Sequence, residues 1–270
     1  MRINTNLNAM IATNQMSKNT ALAGSSMEKL STGLRITKAG DDAAGLAVSE
    51  KMRAQIRGME QAERNVQDGI SMVQTAEGAL EEAGNIAQRM RELGVQAGND
   101  TLSAEDRTKV KEELKQLQDE MKNISEETKF NGKQLLNTAG TFTIQAGANS
   151  ETRTITTADL SGIANNLSLT STNISNASEA QSFVKKVDVA LESINAARSA
   201  LGSMQNRLEY TANNLTTSTE NLTAAESRIR DVDVAKEMVT LSKLNILNQA
   251  SQAMVSQAKQ QPESVSQLLR

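Results

Sequence analysis

The sequence predicts a mainly α-helical fold: a long antiparallel helical coiled-coil rod with a small β-hairpin, and paired terminal helices forming an inner coiled-coil domain. Three observations carry that expectation. The 270 residues include a single proline, Pro262, so almost nothing interrupts helix. Two long stretches repeat an apolar residue every three or four positions. One internal segment switches to a period of two.

The first stretch runs from Met52 through Val66, Leu80 and Leu93 to Ala97, apolar at every step, with Glu60, Glu63, Arg64, Gln67 and Asp68 between the steps. The second runs from Phe183 through Leu191, Leu201 and Leu215 to Ile229, broken only by Thr211 and Ser218. Both periods lie close to the ~3.5 residues of a coiled-coil seam. At ~1.5 Å per residue each helix spans on the order of 70 Å, and the matched lengths predict side-by-side packing. A shorter stripe, Val110, Leu114, Leu117, Met121 and Ile124, follows the capping-box pattern Ser103-Ala104-Glu105-Asp106 and stops near the tight-turn pair Asn131-Gly132. In residues 138–176, Ser and Thr fill 14 of 39 positions. Thr141–Ala146 and Glu151–Thr156 alternate at period two around Gly147–Ser150, which predicts a β-hairpin. Residues 161–177 read as loop with one short element.

Composition removes most chemistry. With no Cys and no His, there is no thiol nucleophile, disulfide, Ser-His-Asp triad or His-ligated zinc. No cofactor or metal is expected. The carboxylate pairs Asp41-Asp42, Glu81-Glu82 and Glu112-Glu113 are adjacent in sequence and do not face each other on a helix, so they read as caps and solvated faces. Neither a P-loop nor a dinucleotide fingerprint occurs. A net charge of −3 offers no basic footprint for nucleic acid. No apolar run approaches a membrane span, and the first ten residues lack the apolar core of a signal peptide.

The ends are charge-poor. Residues 1–27 carry only Arg2 and Lys18, and residues 244–270 only Lys259, Glu263 and Arg270. Both still show helical apolar stripes: Ile3, Leu7 and Met10, later Leu30 and Leu34, and at the other end Leu241, Leu244, Leu247 and Met254. A free helix shows Lys and Glu on its wet face. Amide-rich ends with apolar stripes predict surfaces buried between subunits, mobile in the monomer and ordered on assembly.

Long motifs at both ends add a resemblance. They include Met1–Asn6, Glu28–Ile36, Ala39–Ala47, Gln74–Leu80, Asn221–Asp233, Gln249–Met254 and the closing Gln267–Arg270. Together they resemble bacterial flagellin, across residues 1–140 and 175–270. The resemblance implies an inner helical domain built from residues 1–42 and 230–270. It implies a rod domain from 43–137 and 178–229, with 138–177 as a reduced variable region in place of large outer domains. The implied function is a structural subunit of the bacterial flagellar filament for swimming motility, located outside the cell and not an enzyme. The alternative is a hook–filament junction protein or another secreted helical rod.

The resemblance also implies partners. These are the chain itself, cap and hook–filament junction proteins, and the flagellar type III apparatus that exports it unfolded. A cytosolic export chaperone would cover residues 230–270 through Leu244 and Leu247, and a secretion-regulating partner would meet Asn221. The run Gln88–Leu93 resembles the segment of the family seen by the innate receptor Toll-like receptor 5. This places Arg89, Leu93 and, by position on the next helix, Glu120 as contacts.

Overall fold

A computed structural model of the chain describes residues 6–167 and 174–268, with side chains through residue 260. In chain order the elements are α1 (Leu7–Thr32), α2 (Ala43–Ala97), α3 (Ala104–Glu127), β1 (Lys129–Phe130), β2 (Lys133–Gln134), β3 (Thr141–Gln145), β4 (Thr152–Thr156), α4 (Leu160–Asn166), α5 (Ala177–Arg230) and α6 (Val234–Leu268). They form two compact units. One comprises Met1–Ala54 with Asn221–Arg270, the other Gln55–Glu220. The first unit therefore takes in the start of α2 and the end of α5 as well as α1 and α6.

In the second unit the two predicted seams become one core. Val66, Leu80 and Met90 of α2 and Phe183, Ile194 and Leu208 of α5 are all fully or almost fully buried. The helices run antiparallel. Glu63 accepts from the Thr216 hydroxyl at 3.2 Å, Glu81 faces Arg198 at 3.9 Å, and Arg91 pairs with Asp188 at 2.6 Å. Partners descend along α5 as they ascend along α2. These pairs are largely exposed and individually worth ~0–1 kcal/mol, so they mark the register that the apolar seam enforces.

The turn into α3 is tied down by polar side chains. Arg107 donates to the carbonyls of Asn99 and Ser175, each at 3.1 Å, and pairs with Asp100 at 3.0 Å. The predicted capping box is present: the Asp106 N–H donates to the Ser103 hydroxyl at 3.2 Å, and the Ser103 N–H returns to the Asp106 carboxylate at 3.3 Å. Each bond satisfies an amide with no partner within the helix. Leu114 and Met121 then close α3 onto the core.

Asn131-Gly132 makes the predicted tight turn. Both residues have positive φ, 49° and 78°, the geometry of a two-residue hairpin loop. This loop joins β1 and β2, with Phe130 opposite Lys133. The predicted hairpin is β3 against β4, with Thr141 opposite Thr156 and Gln145 opposite Thr152. Its inward residue Ile155 is fully buried. Helix α2 meets this hairpin with glycines three turns apart. A Cβ on Gly58 would lie 2.9 Å from the Ala148 Cβ, and one on Gly69 would overlap the Ile144 side chain. The Asn65 amide donates to the Gln145 carbonyl at 3.2 Å on the same stretch.

The short element expected in 161–177 is α4. It starts one residue earlier, capped by Asp159, which accepts from the Gly162 N–H at 2.7 Å. Leu160, Ala164 and Leu167 are buried, so this Ser/Thr-rich region contributes to the core as well as to the surface. Residues 168–173 lie outside the described residues.

Two expectations follow for stability. Gly78 has open space where a Cβ would go, so Gly78→Ala should raise the unfolding free energy by ~0.5–1 kcal/mol. Gly58→Ala should forfeit that gain against the Ala148 backbone, and urea midpoints of the two variants separate them. Phe183→Ala, emptying the largest buried side chain, should cost ~3–5 kcal/mol in the same measurement.

Candidate assembly surface

The first unit is built on α1 and α6, packed antiparallel. Asn6 caps α1 by accepting from the Ala9 N–H at 3.1 Å, and its amide donates to the Ala258 carbonyl at 2.6 Å. Further along, the Thr20 hydroxyl reaches Asn248 at 3.5 Å.

The seam of this pair is unusual. On α1 the buried residues are Ala12, Asn19 and Ser26, one every seven positions, and on α6 they are Leu244 and Ser251 at the same spacing. Apart from Leu244, the buried side chains are small or amide ones. Large apolar ones are outside: Leu7 is 60% exposed, Ile11 58%, Val239 70% and Ile246 65%. This inverts the usual rule for an amphipathic pair. A seam whose buried positions are Ala, Ser and Asn with the single leucine Leu244 buries little apolar area. Each Leu, Ile or Met left outside forgoes ~1.5–3 kcal/mol that burial would supply. So many exposed large apolar side chains on two helices are the kind of surface that marks an interaction site.

Backbone and arginine contacts clamp the base of the pair. After α1, the Arg35 N–H donates to the Arg230 carbonyl at 2.6 Å and the Val232 N–H to the Gly33 carbonyl at 3.0 Å, an antiparallel bridge between Leu34 and Asp231. The Arg35 guanidinium adds bonds to the Ile229 carbonyl, and Arg230 pairs with Glu50 at 2.7 Å. Ile36 is buried beside this bridge. Asp42 accepts from the Gly45 N–H at 2.8 Å and so caps α2. The Asp41 carboxylate accepts from the N–H groups of Thr37 and Lys38, both at 3.1 Å, and from the Thr37 hydroxyl at 3.0 Å. Those bonds, the Thr37 N–H first, hold its carboxyl below the ordinary aspartate range. Lys38 is raised in turn by its 2.8 Å bond to Glu28.

Matches to known proteins show the family of the chain. The model for the bacterial flagellin N-terminal helical region matches residues 3–141, and that for the C-terminal helical region matches 184–269. The chain is 53% identical over 274 residues to a flagellin of Halalkalibacterium halodurans and 49% identical over 308 residues to a flagellin of Bacillus subtilis, with 100% of both chains covered each time. The chain belongs to the bacterial flagellin family.

It is thus a structural subunit of the flagellar filament and not an enzyme. The crystal structure of Bacillus cereus flagellin matches with a TM-score of 0.52 at 35% identity, covering 60% of this chain and 94% of that one. A chain from Vibrio parahaemolyticus described as flagellar hook-associated shares the fold at a TM-score of 0.62, 12% identity and coverage of 71% and 100%. Nothing favours the junction-protein alternative over the filament subunit. Among the described residues there is no cluster of metal-binding side chains and no helix long and apolar enough to cross a membrane.

The structure distributes the sequence-derived residues unevenly. Leu7, Met10, Leu247 and Met254 lie on the open face of the α1/α6 pair; Leu30 and Leu241 are half-buried. Leu34 is half-buried too, and its backbone forms the bridge to Asp231. Ile3 lies outside the described residues. Leu244 is 8% exposed and falls on the heptad seam with Ser251. Leu247 and Asn221, the other two residues of the expected export-partner set, are exposed.

The three residues of the expected receptor contact have different surroundings. Leu93 is buried in the α2 seam, 2% exposed, and presents no outward apolar contact. Arg89 bonds Glu113 of α3 at 3.0 Å and Glu92 at 3.1 Å, and these bonds, Glu113 first, raise its pKa. Glu120 is exposed but lies about two helical turns beyond Glu113, so the acidic residue level with Arg89 is Glu113. Counting positions alone could not register α3 against α2.

The Asp41 cap sets a pH expectation. Its folded value is depressed, so its contribution is present above the ordinary ~3.9 and is lost as pH falls through the lower folded value. The Thr37 amide resonance should titrate with a midpoint below that of an ordinary aspartate, and Asp41→Asn should abolish that titration in NMR.

Proposed function

We propose that the open apolar faces of α1 and α6 are the surfaces by which copies of this chain pack into the filament core. The observation that carries this is the inverted pair, with mostly small residues at its buried seam and many Leu, Ile, Val and Met side chains on its outside. A subunit that stayed alone would gain by turning those side chains inward. Non-closing heterologous contacts between identical subunits generate a helical filament. In this reading residues 1–42 and 230–270 form the inner domain, 43–137 and 178–229 the rod domain, and 138–177 a reduced variable region.

The thin seam also supports terminal helices that are loosely held before assembly and firmly held after it. Loose ends suit export in an unfolded state through the flagellar type III apparatus to a site outside the cell. A cytosolic chaperone would shield α6 through Leu247 and Met254, and a secretion-regulating partner would meet the exposed Asn221. Growth beneath a cap protein and attachment through hook–filament junction proteins complete the assembly partners. For recognition by Toll-like receptor 5, Arg89, Leu93 and Glu120 are the expected contacts, and the Arg89–Glu113 pair adds an exposed charged patch beside them.

The test is seeded polymerisation of purified monomer at near-neutral pH, followed by electron microscopy. The intact chain should extend short filament fragments into long filaments. Variants lacking residues 1–34 or 235–270 should not. Amides of α1 should exchange faster in the monomer than in the filament. Long filaments from either truncated chain would overturn the proposal.

A further inference from the structure

The sequence has twelve methionines, and the fold sorts them sharply. In the second unit Met59 and Met72 are 9% and 7% exposed, while Met90 and Met121 are fully buried. On the terminal helices Met10 is 53% exposed, Met27 60%, Met238 51% and Met254 57%. Among the described residues every methionine more than half exposed is on α1 or α6. Their positions are paired as well. The antiparallel register that sets Asn6 against Ala258 and Thr20 near Asn248 brings Met10 level with Met254 and Met27 level with Met238. Two methionine couples therefore stand at separate levels of the α1/α6 surface.

We propose that Met10, Met27, Met238 and Met254 form an oxidative modification site that governs entry of the subunit into the filament. The inference rests on the reading that this surface is buried between copies. The reagent class is a two-electron oxidant such as hydrogen peroxide. A thioether sulfur attacks one peroxide oxygen and the O–O bond breaks. An S–O bond forms, and the other oxygen leaves as water with both protons. Sulfur is oxidised by two electrons and peroxide is reduced by two. The chain has no cysteine to consume the oxidant first.

The product is a polar sulfoxide on a side chain that was a flexible apolar filler. In the free subunit the sulfoxide oxygen is hydrated at no cost. Within an apolar contact between copies it loses that water, and the contact weakens. In the second unit only Met204 is even partly exposed, so the modification falls mainly on the terminal helices and acts on assembly. Burial in the filament closes the same sulfurs to the oxidant, so susceptibility belongs to the unassembled subunit. Thiol-driven reduction of the sulfoxide returns the original side chain.

The experiment treats full-length monomer with millimolar hydrogen peroxide, quenches with catalase, maps oxygen uptake by peptide mass spectrometry and measures the critical concentration for extending filament seeds. Uptake should appear first at the four terminal-helix methionines. The critical concentration should rise about tenfold or more. Methionine sulfoxide reductases with dithiothreitol should restore it. Preformed filaments should take up oxygen at the four sites far more slowly.

The combined variant M10L/M27L/M238L/M254L conserves volume and should extend seeds equally well before and after peroxide. Unchanged assembly of protein carrying all four sulfoxides would overturn the proposal, and so would equal inhibition of the leucine variant. If that variant fails to assemble untreated, reductase rescue decides: recovery upholds the site and no recovery removes it. Untreated wild-type protein that ignores seeds would instead overturn the reading of the surface itself, and this inference with it.

Discussion

The close pairing of α1 and α6 through small side chains is the constraint on which the structure turns. Ala12, Asn19 and Ser26 recur at heptad spacing and meet a seam that includes Ser251. With little bulk between them the helices lie together using few of their large side chains, Leu244 chief among them. Leu7, Ile11, Val239 and Ile246 are left facing out. Ordinary heptads place Leu where this chain has Ser and Asn. The exchange sacrifices stability within the subunit and leaves binding surface to offer to neighbours.

The second unit follows the opposite rule and thereby makes the first possible. There α2 and α5 bury a near-continuous apolar seam, capped α3 closes one side, and the β3/β4 hairpin rests on α2 where Gly58 and Gly69 remove side-chain bulk. This unit supplies a folded body independent of copies. The bridge from Gly33–Arg35 to Arg230–Val232 gives the terminal pair a fixed base formed by backbone hydrogen bonds and the Arg35 guanidinium. The division of labour is energetic: a self-sufficient core in one unit, an unsatisfied surface in the other.

What could be read from the sequence followed from how local the determinants are. The α2 and α5 seams were legible because a sustained period survives any register. The Ser103 box and the Asn131-Gly132 turn were legible because three or four residues suffice to specify them. The start of α4 at Leu160 and the burial of Leu167 were not, since a seven-residue element among Ser and Thr has too few turns to show a period. The apolar stripe on α6 was seen, but not that Leu244 turns inward while Leu247 turns outward. Both are leucines on one stripe, and only the partner helix distinguishes them. The register of α3 against α2 was not legible either: Glu113 and Glu120 share a helix face, and the length of the α2–α3 turn decides which is level with Arg89.

The scarcity of charge on the terminal helices follows from the same constraint. Any group on a subunit surface that becomes a filament interface is repeated at every copy. An unpaired Lys or Glu there would be desolvated at each contact, and like charges would recur at a fixed spacing along the assembly. Asn and Gln avoid both costs, because one amide donates and accepts and can be satisfied by another amide in whichever register the copies adopt. They also keep the free subunit hydrated beside Leu, Ile and Met. The amide-rich composition of the ends and the small-residue seam thus answer one requirement. The same helices must be tolerated by water before assembly and must exclude it afterwards.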